Sequence, residues 1–101
     1  MQLRKYRWSR HYESAEEELF DFLKVRNIQA ERQDIEAGDS IAPRAHDRDV
    51  QIFCAEGSVS LRAGGKVFSL QPGDSLDLPA NTIYEATAGM TGVVYYESQP
   101  R

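Results

Sequence analysis

Two histidines, one cysteine and a scatter of arginines and tyrosines carry most of the reactive chemistry in this sequence, and their small number excludes several kinds of site. A single Cys54 rules out an intramolecular disulfide framework and a structural zinc site built from several thiolates. It lies in the apolar run 50–55, where a free thiol behaves as a small buried hydrophobe, and no neighbouring base in sequence would make it reactive. With only His11 and His46 available, triad chemistry has few ways to be built, and no local hydrolase signature is present. Gly64-Gly65 lacks the fingerprint of a P-loop or a dinucleotide fold. His46 on its own reads as a hydrogen-bonded histidine, and His11 as a solvated one. The opening stretch Arg4, Lys5, Arg7, Arg10, His11 alternates with Tyr6, Trp8 and Tyr12, an arrangement that can bind single-stranded nucleic acid. It reads better as an amphipathic strand whose aromatics pack and whose charges face water.

The elements that must position these groups follow from composition and turn chemistry. The chain has 101 residues, 41% apolar and 28% charged, the balance of one globular domain spanning 1–101. Its net charge of −4 argues against nucleic acid or an anionic membrane as a partner. The N-terminus has no long apolar stretch that would serve as a signal peptide or membrane span, so the expected location is the cytoplasm. Ser14 and Glu17 form a capping box, Glu16 to Glu18 face the positive end of a helix dipole, and Ala15, Leu19, Phe22 and Leu23 share one face. The spacing predicts a helix over about 15–25, with Asn27 as a left-handed stop.

From about 28 to 98 the sequence changes to short strand patterns separated by turns. Residues 28–36 precede Gly38-Asp39, and the run 50–55 ends at Glu56-Gly57. Val59 and Leu61 alternate with polar neighbours as a half-buried strand should. Gly64-Gly65 supplies the positive φ angles of a two-residue hairpin, and Pro72-Gly73 fits the centre of a type II turn. Leu76 and Leu78 alternate with Ser75 and Asp77, Pro79-Ala80-Asn81 turns the chain, and residues 83–88 and 92–98 complete the series. Strands at this spacing predict an all-β, antiparallel jelly-roll barrel with one short N-terminal helix.

The order of these turns resembles the cupin family, the small RmlC-like jelly rolls. Glu56-Gly57, a strand, Gly64-Gly65, a strand, then Pro72-Gly73-Asp74 and Pro79 follow that family's second motif. Metal-binding cupins offer two histidines one residue apart, an acid, and a later histidine. Counted from Gly57 and Pro79, the resemblance places these positions on Arg44, His46, Val50 and Tyr84. One ligand of four remains, and Asp49 and Glu85 are poor substitutes because a one-residue step along a strand reverses the side chain.

The resemblance therefore implies a cupin-fold small-molecule-binding or structural protein with a degenerate metal site and no cofactor, whether or not any reaction is catalysed. The expected site joins Arg44, His46 and Tyr84, with Val50, Ile52 and Cys54 as an apolar floor. Such a cavity would take a small anion, since Arg presents a planar fork of donors that matches a carboxylate. Binding would weaken as pH rises past the imidazole's titration. The alternatives are a divalent-metal cupin enzyme of the oxygenase or isomerase type using His46 with atypical ligands, and a metal-free enzyme using His46 or Tyr84 as acid or base. A homodimer is expected, because the core of so small a barrel is limited and the N-terminal strand needs an edge to pair with.

Overall fold

A computed structural model describes residues 1–9 and 16–98. Seven strands and one helix follow in the order β1 (Arg4–Arg7), α1 (Glu16–Val25), β2 (Ala30–Ile35), β3 (Ser40–Arg44), β4 (Val50–Ala63), β5 (Lys66–Leu70), β6 (Asp74–Leu78) and β7 (Tyr84–Ser98). Every strand pair is antiparallel. The sheet runs β1-β6-β4-β7-β2, with β3 also on β7 and β5 also on β4. No helix among the described residues is long and apolar enough to cross a membrane.

The local turn chemistry behaves as read. Gly64 and Gly65 take φ of 56° and 76°, both positive as a type I′ hairpin requires, and join β4 to β5. Pro72-Gly73 is a type II turn closed by Asp74 N–H to the Gln71 carbonyl at 2.9 Å, with Gly73 at φ 95°. α1 ends in a Schellman motif. Asn27 takes φ 54°, its N–H bonds the Lys24 carbonyl, and the Ile28 N–H reaches back to Leu23 at 2.9 Å. The capping residue Ser14, with Ala15, lies outside the described residues, as do Arg10, His11 and Tyr12.

Two expected strand ends are bends instead. Residues 50–55 and 59–62 belong to one fourteen-residue strand, and residues 84–98 to one of fifteen. β4 and β7 pair along their lengths, with register shifts between Cys54 and Glu56 and between Gly57 and Val59. Gly57 (φ 70°) and Gly92 (φ 78°) face each other there, and a Cβ on Gly57 would lie 2.0 Å from the Gly92 carbonyl oxygen. Both glycines thus form a bulged corner at which the paired strands fold over together. The consequence for the site is direct: the two ends of β7 are brought to the same end of the jelly roll.

Alternation along the bent strands makes two cores. Inside, Ile52, Cys54, Leu61, Leu70, Leu76, Leu78, Tyr84 and Tyr95 pack together. Outside, α1 lays Leu19 and Leu23 on Phe53, Ala55 and Tyr96, joined by Trp8. The Trp8 indole N–H donates to the Cys54 carbonyl at 3.3 Å, which ties the end of β1 to the sheet. The charges of β1 are not simply solvated. Arg4 lies 3.7 Å from Asp77, while Lys5 and Arg7 lie 3.7 and 3.0 Å from Asp74, and both acids are buried. β1 pairs with β6 of its own chain, so the N-terminal strand needs no neighbour's edge.

Candidate functional site

The polar cluster at one end of the jelly roll is assembled from three elements, β3, the β3–β4 connection and the two ends of β7. Arg44 ends β3 opposite Tyr84, which begins β7. His46 lies in the β3–β4 connection, fixed by its own carbonyl accepting the Asn81 N–H at 2.7 Å. Glu97 stands near the far end of β7, paired across to Ile52 and therefore on the inner face. An extended strand of that length would hold Tyr84 and Glu97 roughly 40 Å apart. The corner at Gly92 brings them into hydrogen-bond contact instead, with the Tyr84 hydroxyl donating to Glu97 Oε1 at 3.1 Å.

Around this pair the remaining groups converge. Arg44 Nε donates to the Tyr84 oxygen at 2.8 Å, and Arg44 Nη2 lies 3.7 Å from Glu97 Oε1. His46 Nε2 is 3.0 Å from both the Tyr84 oxygen and Glu97 Oε1. The proton count assigns the tautomer. Tyr84 gives its one proton to the carboxylate, so Nε2 must carry a hydrogen to bond either oxygen. His46 Nδ1 then has no hydrogen bond among the described residues. Burial, and next the charge of Glu97, push the Tyr84 hydroxyl up to about 12, with Arg44 pulling the other way. Tyr84 is thus a neutral donor at ordinary pH. Burial and Glu97 also raise Tyr95, the inward neighbour two residues before Glu97.

Of the residues expected to form the site, Arg44, His46 and Tyr84 do come together. Val50, Ile52 and Cys54 do not line a cavity. Each is at most 1% exposed, packed among the leucines of the inner core, so no ligand reaches them without opening the jelly roll. Burial also pushes the Cys54 thiol up to about 12, which removes it as a nucleophile. Asp49 and Glu85 point away as their parity requires: Asp49 accepts the Ala80 N–H at 2.8 Å, and Glu85 faces Arg62 at 3.7 Å.

Glu97 was not foreseen, and it changes the site's chemistry. Its side chain is 13% exposed and occupies the place a ligand carboxylate was expected to fill. The signal lay in alternation, since Val93, Tyr95 and Glu97 share the inward parity of one strand. A charged residue on an otherwise apolar inner face calls for partners.

These residues do not fit a divalent cation. His46 commits Nε2 to Glu97 and Tyr84 and has only Nδ1 to offer, Val50 has no donor atom, and a guanidinium stands beside the one carboxylate. A cation there would meet Arg44's charge at close range. Among the described residues no three of His, Cys, Asp and Glu gather in one place.

No family model and no curated protein matches the sequence. Solved structures do match. KdgF from Halomonas sp. is 26% identical over 73% of this chain and 70% of its own, with a TM-score of 0.60. A cupin superfamily protein from Desulfitobacterium hafniense matches 97% of this chain and 76% of its own at a TM-score of 0.65 and 15% identity. An RmlC-like cupin from Shewanella frigidimarina is 22% identical over 73% of this chain and 68% of its own, with a TM-score of 0.64. With an all-antiparallel jelly roll, one short helix and the turn order of the second motif in place, this chain has the fold of a small cupin domain.

Proposed function

We propose that this cupin domain is a metal-independent small-molecule-binding protein that takes a small anion at the mouth of its jelly roll. The observation that carries this reading is the Arg44–His46–Tyr84–Glu97 cluster. Glu97 neutralises Arg44 and holds the guanidinium by one side, while 41% of the Arg44 side chain remains exposed. The N–H groups not engaged by Tyr84, Tyr95 and Glu97 are then available to an incoming carboxylate or phosphate. His46, its Nε2 held by Tyr84 and Glu97, keeps Nδ1 uncommitted among the described residues. The ligand sits on the cluster rather than beneath it, because the inner core is filled.

A thermal-shift series with acetate, malonate and inorganic phosphate tests the reading. Stabilisation by an anion that disappears in Arg44→Ala supports it. Stabilisation only by neutral or cationic compounds, or a carboxylate affinity unchanged in Arg44→Ala, overturns it.

A second reading rests on the same dyad. A carboxylate behind an imidazole whose other nitrogen is uncommitted is the arrangement of a general base. With an anionic substrate anchored on Arg44, His46 Nδ1 would accept a proton from it. The fate of the bound anion separates the two readings: a binding protein returns it unchanged, whereas an enzyme converts it and loses that turnover in His46→Gln.

A further inference from the structure

The outer face of the sheet carries a second polar surface, on the side of β4 opposite to the one that faces the mouth cluster. The register pairs Arg4 with Asp77 and Asp77 with Gln51, so these three side chains form one row across β1, β6 and β4. α1 covers the apolar rows beside them through Leu19 and Leu23. The helix stops at Val25, which leaves a cleft of about 470 Å³ between its last turn and β1. That volume lies in the range of roughly 300–1,000 Å³ common for small-molecule sites.

Charge in this cleft runs against that of the whole chain. Three arginines, Arg4, Arg7 and Arg26, line it with one acid, Asp77, in a chain of net charge −4. Arg4 and Arg7 are matched to Asp77 and Asp74. Arg26 has no carboxylate within ion-pair distance among the described residues. Its guanidinium lies 3.8 Å from the centre of the Phe22 ring, a stacked placement that leaves the in-plane N–H groups open to an anion. Tyr6 and Phe22 add ring surfaces to the lining. Gln51 donates its amide N–H groups to the Tyr6 oxygen at 3.0 Å and to Asp77 at 3.2 Å, and its amide carbonyl has no partner among the described residues.

We propose that this cleft is a second binding site, for a flat ring bearing a carboxylate or phosphate. Arg26, held over Phe22, takes the anionic group, the ring lies against Tyr6 and the stacked guanidinium, and Gln51 with Asp77 bonds the polar edge of the ring. Trp8, the one tryptophan of the sequence, lines the cleft and reports on it directly.

The test is a titration of the full chain followed by Trp8 fluorescence and amide chemical shifts. The probes are 4-hydroxybenzoate and adenosine 5′-monophosphate, with acetate and inorganic phosphate as ring-free controls. A saturable response at sub-millimolar concentration to either ring-bearing anion is expected, and the responding probe tells whether the anionic group is carboxylate or phosphate. Loss of a charge-assisted bond in Arg26→Ala should weaken that affinity about tenfold or more. Arg44→Ala should leave it unchanged, so failure here is distinguishable from failure of the mouth site. No saturation by either probe, equal binding of the ring-free anions, an unchanged affinity in Arg26→Ala, or an equal loss in Arg44→Ala would each overturn the proposal.

Discussion

Replacing Glu97 by Gln keeps the shape of the side chain and removes the charge on which three groups converge. The wild-type carboxylate accepts from His46 at 3.0 Å and from Tyr84 at 3.1 Å, and lies 3.7 Å from Arg44. A hydrogen bond to a charged acceptor contributes about 1 kcal/mol more than a neutral one, so the two short bonds together lose about 2 kcal/mol. The longer Arg44 pair adds little, because a half-exposed ion pair is screened by solvent. For a domain of this size about 2 kcal/mol corresponds to a fall in Tm of roughly 10 °C. Urea and thermal unfolding followed by Trp8 fluorescence and circular dichroism measure the loss. Tyrosine-selective NMR should also show Tyr84 ionising below its wild-type value of about 12 yet still above an ordinary tyrosine, because burial remains the larger cause. A Tm change under about 2 °C would show that Glu97 does not hold the mouth together.

Tyr84 makes stability sensitive to alkali. Its folded value of about 12 exceeds the ordinary 10, so the unfolded chain releases this proton first and stability falls as pH rises from 10 to 12. Two units correspond to about 2.7 kcal/mol at most, and solvent screening lowers this, so wild type should lose about 1–2 kcal/mol more than Tyr84→Phe across this window in urea melts. An equal loss in both proteins would refute the sign. Gly57→Ala should cost about 3 kcal/mol or more, because its Cβ meets the Gly92 carbonyl at 2.0 Å with φ at 70°. Gly65→Ala, with open space around it, should cost about 1–2 kcal/mol, and similar melting of the two variants would contradict the corner at Gly57. Light scattering should give twice the 11.5 kDa chain mass, since Val67, Ile83 and Met90 leave apolar surface exposed and two-fold dimers are the commonest assemblies. The monomer mass across micromolar concentrations would refute it.

Features decided by a few adjacent residues were legible in the sequence. Gly64-Gly65, Pro72-Gly73 and Asn27 carry their backbone requirement with them, and each adopts it. Glu56-Gly57 was misread as a strand end because a glycine with positive φ serves a turn and a bulge equally well. Only the strand opposite, here Gly92, decides between them. The site was half legible for the same reason. Arg44, His46 and Tyr84 could be placed by counting from turns, whereas Glu97 meets His46 across 51 positions of sequence. The apolar floor was misjudged because alternation gives the facing of Val50, Ile52 and Cys54 but not whether the space before them is filled. The inner leucines fill it.

The mouth should answer to anions and not to divalent metals, and the imidazole of His46 reports on both. With ring-labelled histidine, the His46 resonances are followed by NMR as malonate, and separately zinc, is added to the full chain. The account predicts that malonate moves these resonances saturably, and that Arg44→Ala abolishes the response. Equimolar zinc is expected to leave them in place. Resonances that ignore malonate and shift with one equivalent of zinc would contradict the account.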